Sequence, residues 1–390
     1  MMQIGIVGKS NTGKSTFFKA ATLVDIEISN RIFTTIKPNQ AVGYVTAKCP
    51  CKKLEVKCSP QNSKCINGTR MIPIKLIDVA GLVPDAHKGR GLGIQFLNDL
   101  MEASALIHVI DVSGGTDEEG NPIKPGTRDP EKDVEFLPRE IDHWMFSIMM
   151  RNWHSIKKKT ESTKEPLQNV LYDQLSGLGV TRLAIENAIR ETEFTIQSSN
   201  DDLFKFVSAV RKKSKPIVIA ANKIDVSESK SNYEKLKDKH EITPTSAESE
   251  LALREAETHK LIEYIPGQKD FKIISDVNEK QKKALEFIKN NVLDNYGSTG
   301  VQSVINRTVF ETLNMIVVYP VAIIGKLASK KGNILPDAHL VKAGTTLKEL
   351  AFKIHQEIGE KFAGGLDLQR KKLGADYELK DGDVVEIMTK

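Results

Sequence analysis

The segment GKSNTGKS, residues 8–15, follows an apolar run and opens a stretch of helical character. It fits G-x-x-x-x-G-K-[ST], a pattern that constrains a fold more than any composition does. Its glycines let successive backbone N–H groups wrap a phosphate chain at a helix N-terminus, so the segment must turn from a strand into a helix. Gly8, Ser10, Asn11, Thr12, Gly13, Lys14, Ser15 and Thr16 are the candidate phosphate contacts. Lys14 brings positive charge to the outer phosphates, and the Ser15 hydroxyl can ligate Mg2+.

Apolar, β-branched runs recur at residues 4–7, 41–46, 72–79, 105–112 and 216–221, with a shorter one at 242–245. Near-continuous Val/Ile runs alternating with helical patterns predict a doubly wound, mostly parallel α/β sheet buried on both faces. The interval of about a hundred residues between the fourth and fifth runs is too long for one loop. It carries Leu137, Ile141, Trp144, Ile148 and Met149, then Val170, Leu171, Leu175 and Leu178, then Leu203, Phe204, Val207 and Val210 at helical spacing. These predict a helical insertion, with Trp144, Met149, Met150 and Trp153 either packed between helices or offered to a partner.

Two more helices are expected at 279–293 and 301–313. Beyond residue 314 the pattern changes to a strand, a helix and a closing strand after Asp381-Gly382, a small α+β domain. Thr345 or Thr346 can cap that helix, whose Leu347, Leu350, Ala351, Ile354 and Ile358 share a face. The expected division is 1–116 with 211–313 for a discontinuous nucleotide-binding domain, 117–210 for the insertion and 314–390 for the C-terminal domain.

Asp78 closes the third run, in DVAGLV. A D-x-x-G element after a buried strand and downstream of a phosphate loop reads as a switch. Asp78 then holds the Mg2+ shell, and Gly81 presents its N–H to the γ-phosphate. Leu82, next in line, has no polar atom with which to orient water. NKID, residues 222–225, ends the fifth run. The Asp225 carboxylate can accept the imino and exocyclic amino hydrogens of guanine, a donor pair that adenine lacks. Asn222 belongs to the same motif, and Lys223 can pack its stem over the base. Ser246 and Ala247, in TSA, can offer backbone contacts to the guanine oxygen.

The chain is 40% hydrophobic and 27% charged, the balance of a soluble globular protein. A net charge of +5 permits contact with RNA or a ribosome without demanding it, and no DNA partner is expected. No apolar run approaches the ~20 residues that span a bilayer, so no membrane partner is expected either. The N-terminus enters a strand without a charged leader, which makes the cytoplasm the expected location. All four cysteines, Cys49, Cys51, Cys58 and Cys65, fall within residues 49–65. Four thiolates can satisfy one tetrahedral Zn2+; free thiols and redox disulfides are the alternatives.

In this order the motifs resemble those of a translation-factor-related GTPase of the Obg superfamily. RIFTTIKPN (31–39) resembles that family's switch I, and DVAGLVPDAHKGRGLGIQFL (78–97) resembles switch II of the YchF subfamily. The insertion matches that subfamily's layout, and the ending DYELKDGDVVEIM resembles its TGS domain, a ubiquitin-like β-grasp module. The resemblance implies a P-loop NTPase fold with a helical, coiled-coil-like insertion and a C-terminal TGS domain. It also implies a Mg2+-dependent GTPase switch that works with the ribosome, its RNA or its proteins. Thr35 becomes the switch I ligand to Mg2+ and γ-phosphate, with Thr34 as the alternative.

YchF proteins typically lack the guanine-reading aspartate and favour ATP. This chain keeps Asn222, Lys223 and Asp225, so GTP is expected over ATP. A hydrophobic residue in place of glutamine, Leu82 here, is a trait of the group, and catalytic help must come from elsewhere. Asn11 occupies the position where related GTPases coordinate K+; otherwise it only stabilises the loop turn. His87 either orients water or is a plain surface residue. The expected catalytic set is Lys14, Thr35, Gly81 and Asn11.

Overall fold

A computed structural model of the chain describes residues 2–22, 39–79, 100, 102–163 and 165–390. Thr34, Thr35, Gly81, Leu82 and His87, singled out above, lie outside the described residues. By their contacts the described residues form two compact units, one of 2–22, 39–41 and 75–304, the other of 42–74 and 305–390. Residues 42–74 thus pack with the C-terminal segment, although in sequence they lie inside the stretch expected to bind nucleotide.

The large sheet contains β1 (Gln3–Val7), β2 (Gln40–Lys48), β3 (Lys64–Ile66), β4 (Thr69–Asp78), β5 (Ala105–Asp111), β6 (Ile217–Asn222) and β7 (Ile242–Pro244). Its order is β2-β4-β1-β5-β6-β7, with β3 pairing β4 off this path. β1 runs parallel to β4 and β5, β5 to β6, and β6 to β7. β3, which carries Cys65, pairs antiparallel with β4 and has no counterpart among the expected strands. Every residue of β5 is buried, as a central strand covered on both faces requires.

The insertion consists of helices Glu131–Thr163, Leu167–Leu175, Arg182–Thr192 and Asn200–Ser214. One hydrophobic cluster joins Val7, Ile77 and Leu106 of the sheet to Leu137, Ile141, Leu171, Ile185 and Phe206 of the insertion. Trp144, Met149 and Trp153 are buried in that cluster, so they serve packing; Met150 alone of the four is exposed. Phe194 stacks on Phe206 with ring centroids 4.6 Å apart.

After β7 come helix Ala247–Thr258 and a small antiparallel ribbon of β8 (Ile262–Glu263) and β9 (Lys272–Ile273). Helices Glu279–Ile288 and Val301–Arg307 follow, each continued by a π turn.

The C-terminal sheet holds β10 (Met315–Val321), β11 (His339–Lys342), β12 (Phe362–Leu366), β13 (Lys372–Leu373) and β14 (Val384–Thr389), in the order β11-β10-β14-β12-β13. Its helix, Leu347–Ile354, starts at Thr346, whose side chain and that of Glu349 form a reciprocal capping box. Leu347 and Leu350 pack with Val318, Val341 and Val385 in one core. The helix stops at Ile354, because His355 turns extended and its Nδ1 accepts the Glu357 N–H. Ile358 therefore belongs to a separate short helix, Gln356–Glu360, and not to the one its spacing implies.

Candidate nucleotide site

The phosphate loop lies between β1 and helix Lys14–Thr22, at the carboxyl end of the central strands, where ligands bind open α/β sheets. Asn11 takes φ 59° and Gly13 φ 90°, the left-handed turns that expose successive backbone amides. A Cβ on Gly13 would stand 2.2 Å from Asn222 Nδ2, so both conformation and space demand glycine there. Thr12 Oγ1 donates to the Lys9 carbonyl at 3.0 Å, and Phe17 N–H to the Gly13 carbonyl at 2.8 Å, which starts the helix.

Lys14 Nζ is paired with Asp78 Oδ1. The register of β1 and β4 sets Ile6 beside Asp78, so the carboxylate falls next to the phosphate loop. Asp78 and the exposed Ser15 hydroxyl are hard oxygen donors of the kind that Mg2+ shares with water and phosphate. The described residues therefore fit that ion.

The base loop is fastened from three sides. Asn222, 2% exposed, donates to the Thr12 carbonyl at 2.8 Å and accepts the Ala247 N–H at 3.0 Å. It is a strut between the phosphate loop and the TSA segment. Lys223, at φ 66°, reaches the fully buried Asp111 with Nζ–Oδ2 2.7 Å, and Asp111 also accepts the Ser113 N–H. Ile224 N–H donates to the Thr245 carbonyl at 3.1 Å, and the Ser229 hydroxyl to the Lys223 carbonyl at 2.6 Å. Asp225 follows, half-buried. Ser246 caps helix Ala247–Thr258, and its own N–H donates to Thr299 at 2.8 Å. The three TSA amides are thus engaged within the protein, Thr245 to the Ala221 carbonyl, Ser246 to Thr299 and Ala247 to Asn222.

Lys9 is an unspecified position of the motif, yet it is 3% exposed and forms a 2.7 Å ion pair with Asp133. Its Nζ also donates to the Asp117 carbonyl at 2.6 Å, and Arg128 reaches Asp133 at 3.2 Å. Asn11 Nδ2 donates to the Gly120 carbonyl at 2.9 Å, and Gly120, φ 87°, leaves no room for a Cβ against Ser10. The turn-rich segment after β5 is thus latched to the outside of the phosphate loop. Burial raises the Asp133 carboxyl above its usual range even though Lys9 and Arg128 pull it down. Burial, and then Lys9, lower His108 to about 3, so it stays neutral beside that ammonium. Lys9, Asp111, Asp133 and Thr299 carry no local pattern and are visible only in three dimensions.

Away from this site Cys49, Cys51, Cys58 and Cys65 do converge, their sulfurs all within 4.8 Å of one another.

Residues 3–138 match a family model described as 50S ribosome-binding GTPase, and residues 220–322 one described as Obg-like GTPase YGR210-like, G4 motif-containing domain. Residues 331–389 match the TGS domain. An uncharacterized GTP-binding protein of Methanocaldococcus jannaschii is 49% identical over 396 residues, covering 100% of this chain and 99% of that relative. The chain belongs to the Obg-like, YchF-related GTP-binding proteins. The crystal structure of a GTP-binding protein from Pyrococcus horikoshii OT3 is 40% identical to this YchF-related chain over 100% of both, with TM-score 0.79. The Schizosaccharomyces pombe YchF GTPase, 19% identical with TM-score 0.58, covers 99% of this chain and 97% of its own, and shares the fold. The ribosome-binding ATPase YchF of Escherichia coli O157:H7 is 35% identical over 160 residues, 40% of each chain.

Proposed function

We propose that this YchF-related protein prefers GTP to ATP, hydrolyses it to GDP and phosphate, and serves as a ribosome-associated switch in the cytoplasm. The observation that carries the base preference is Asp225, a carboxylate at the end of a loop held by Asn222, Lys223 and Ile224. Guanine offers that carboxylate two donors, whereas adenine leaves it unpaired. For hydrolysis, Lys14 exchanges Asp78 for the outer phosphates, and the Gly81 N–H meets the γ-phosphate. Ser15, Asp78 and Thr35 would hold Mg2+, which would neutralise phosphate charge. The ribosomal half of the reading rests on the E. coli relative, called a ribosome-binding ATPase, on the family described as 50S ribosome-binding, and on the net charge of +5.

Competition of GTP and ATP against a fluorescent GDP analogue tests the first half. GTP should win, with phosphate release from GTP alone; ATP binding as tightly as GTP would sink the base argument. Co-sedimentation with ribosomal subunits tests the second. Binding should differ between a non-hydrolysable GTP analogue and GDP, and identical sedimentation in both states removes the switch.

Asn11 is the proposed K+ ligand. Its nitrogen is committed to Gly120, so its carbonyl oxygen is the atom that a cation would take. Hydrolysis should run faster in K+ than in Na+. Asn11→Ala confounds this, since a left-handed alanine adds about 1–2 kcal/mol of strain. Asn11→Gly keeps the turn and deletes the amide, and it should erase the salt difference; equal wild-type rates in the two salts dismiss K+.

A further inference from the structure

We propose that Cys49, Cys51, Cys58 and Cys65 bind one zinc ion, which holds residues 49–66 in their fold whichever nucleotide occupies the phosphate loop. The four cysteines are free thiols drawn from four places: the residue between β2 and the helix Pro50–Lys53, that helix itself, the following loop, and β3. A regular tetrahedron with Zn–S of about 2.3 Å has sulfur–sulfur edges of about 3.8 Å. Cys51 and Cys65 are 3.8 Å apart, and no pair in the set exceeds 4.8 Å. A set of soft thiolates selects zinc over the hard cations Mg2+ and Ca2+.

Two further observations point to an ion. The segment has almost no core of its own: within residues 49–66 only Cys49, Cys51 and Ser63 are buried. Units this small fold when a metal or disulfide replaces the missing core. Yet the segment is ordered enough to fasten the C-terminal domain. Ser59 N–H donates to the Ile334 carbonyl at 2.8 Å, Gln61 N–H to the Pro336 carbonyl at 2.7 Å, and Ala338 N–H to Asn62 Oδ1 at 2.9 Å.

The second observation is Arg70, which stands opposite Cys65 in the β3–β4 register and is 0% exposed. Its Nη2 donates to the Leu335 carbonyl, while Nε and Nη1 have no hydrogen-bond partner among the described residues. A buried guanidinium with spare donors calls for a negative neighbour. Four thiolates around Zn2+ carry a net charge of −2 and provide it. Binding balances as four thiols plus Zn2+ giving the tetrathiolate and four protons, so affinity rises with pH.

The test uses the full chain, purified under reducing conditions. Elemental analysis should find one zinc per chain, and Co2+ replacement should give the intense thiolate-to-cobalt absorption of a tetrahedral site. Cys58→Ser and Cys65→Ser should each lose the metal and open residues 49–66 to proteolysis, with GDP affinity unchanged. If those variants fail to fold, a mercurial titration of the wild type decides: four thiols should react as one zinc is released. Reduced wild-type protein that carries no zinc and gives no cobalt band overturns the site, and iron in place of zinc overturns the assignment of the ion.

Discussion

Asp225→Asn should cost this protein most of its GTP affinity and make xanthosine triphosphate the better ligand. A carboxylate presents two acceptors to the two guanine donors. An amide presents one acceptor and one donor, and the donor meets the exocyclic amino group head-on. Xanthine carries an oxygen at that place, which accepts the new donor. Where a site is built to hydrogen-bond a group, a mismatch is worth on the order of 10⁴ in discrimination; for a half-buried carboxylate a loss of about 100-fold is a conservative expectation. The change should not unfold the loop. Asn222 is tied to Thr12 and Ala247, Lys223 to Asp111, and the Ile224 N–H to Thr245, and none of these contacts uses the Asp225 side chain. Displacement of a fluorescent nucleotide by GTP, XTP and ATP reads the result. Undiminished GTP affinity in the variant would mean that the base does not meet Asp225, and the GTP preference would lose its physical basis.

Much of this site is local in sequence and therefore legible there. The phosphate loop, Asp78 and the NKID turn each follow a buried strand, and the parallel registers bring the ends of those strands together. Their roles are less legible than their positions. Asn222 reads as part of a base-recognition motif, yet its buried side chain spends both of its ends on holding protein together. Lys223 reads as a lid over the base, while its ammonium rests on Asp111. Neither partner can be inferred from spacing, since Asp111 lies 112 residues away and Thr12 lies 210 away. The convergence of the four cysteines depends likewise on β3, a three-residue strand too short to leave a periodic signal. Ile358 shows the opposite error, because spacing of three and four continues smoothly across a backbone break that His355 makes.

Lys9 forms a more deeply buried ion pair at the phosphate loop than Lys14 does. Its ammonium and the Asp133 carboxylate are each 3% exposed and 2.7 Å apart, and the pair clamps the segment after β5 onto the phosphate loop. Buried pairs contribute little relative to apolar replacements, but stripping one partner leaves the other charged in a poor solvent, at a cost of about 3–5 kcal/mol. Asp133→Asn strands the Lys9 ammonium beside His108, which burial already keeps neutral. Lys9→Met removes that ammonium, leaves Arg128 as the remaining cation on Asp133, and leaves the Asp117 carbonyl with the Gly120 N–H alone. Each single change should therefore destabilise the nucleotide-binding unit strongly in chemical denaturation. GDP affinity should fall as well, because Asn11 and Ser10 lean on the same segment through Gly120. The double variant Lys9→Met, Asp133→Asn leaves neither charge stranded by the other, so its destabilisation should be clearly less than the sum of the two single changes. Additive losses, or single losses below about 1 kcal/mol, would show that the pair is a solvated contact rather than the clamp on the phosphate loop.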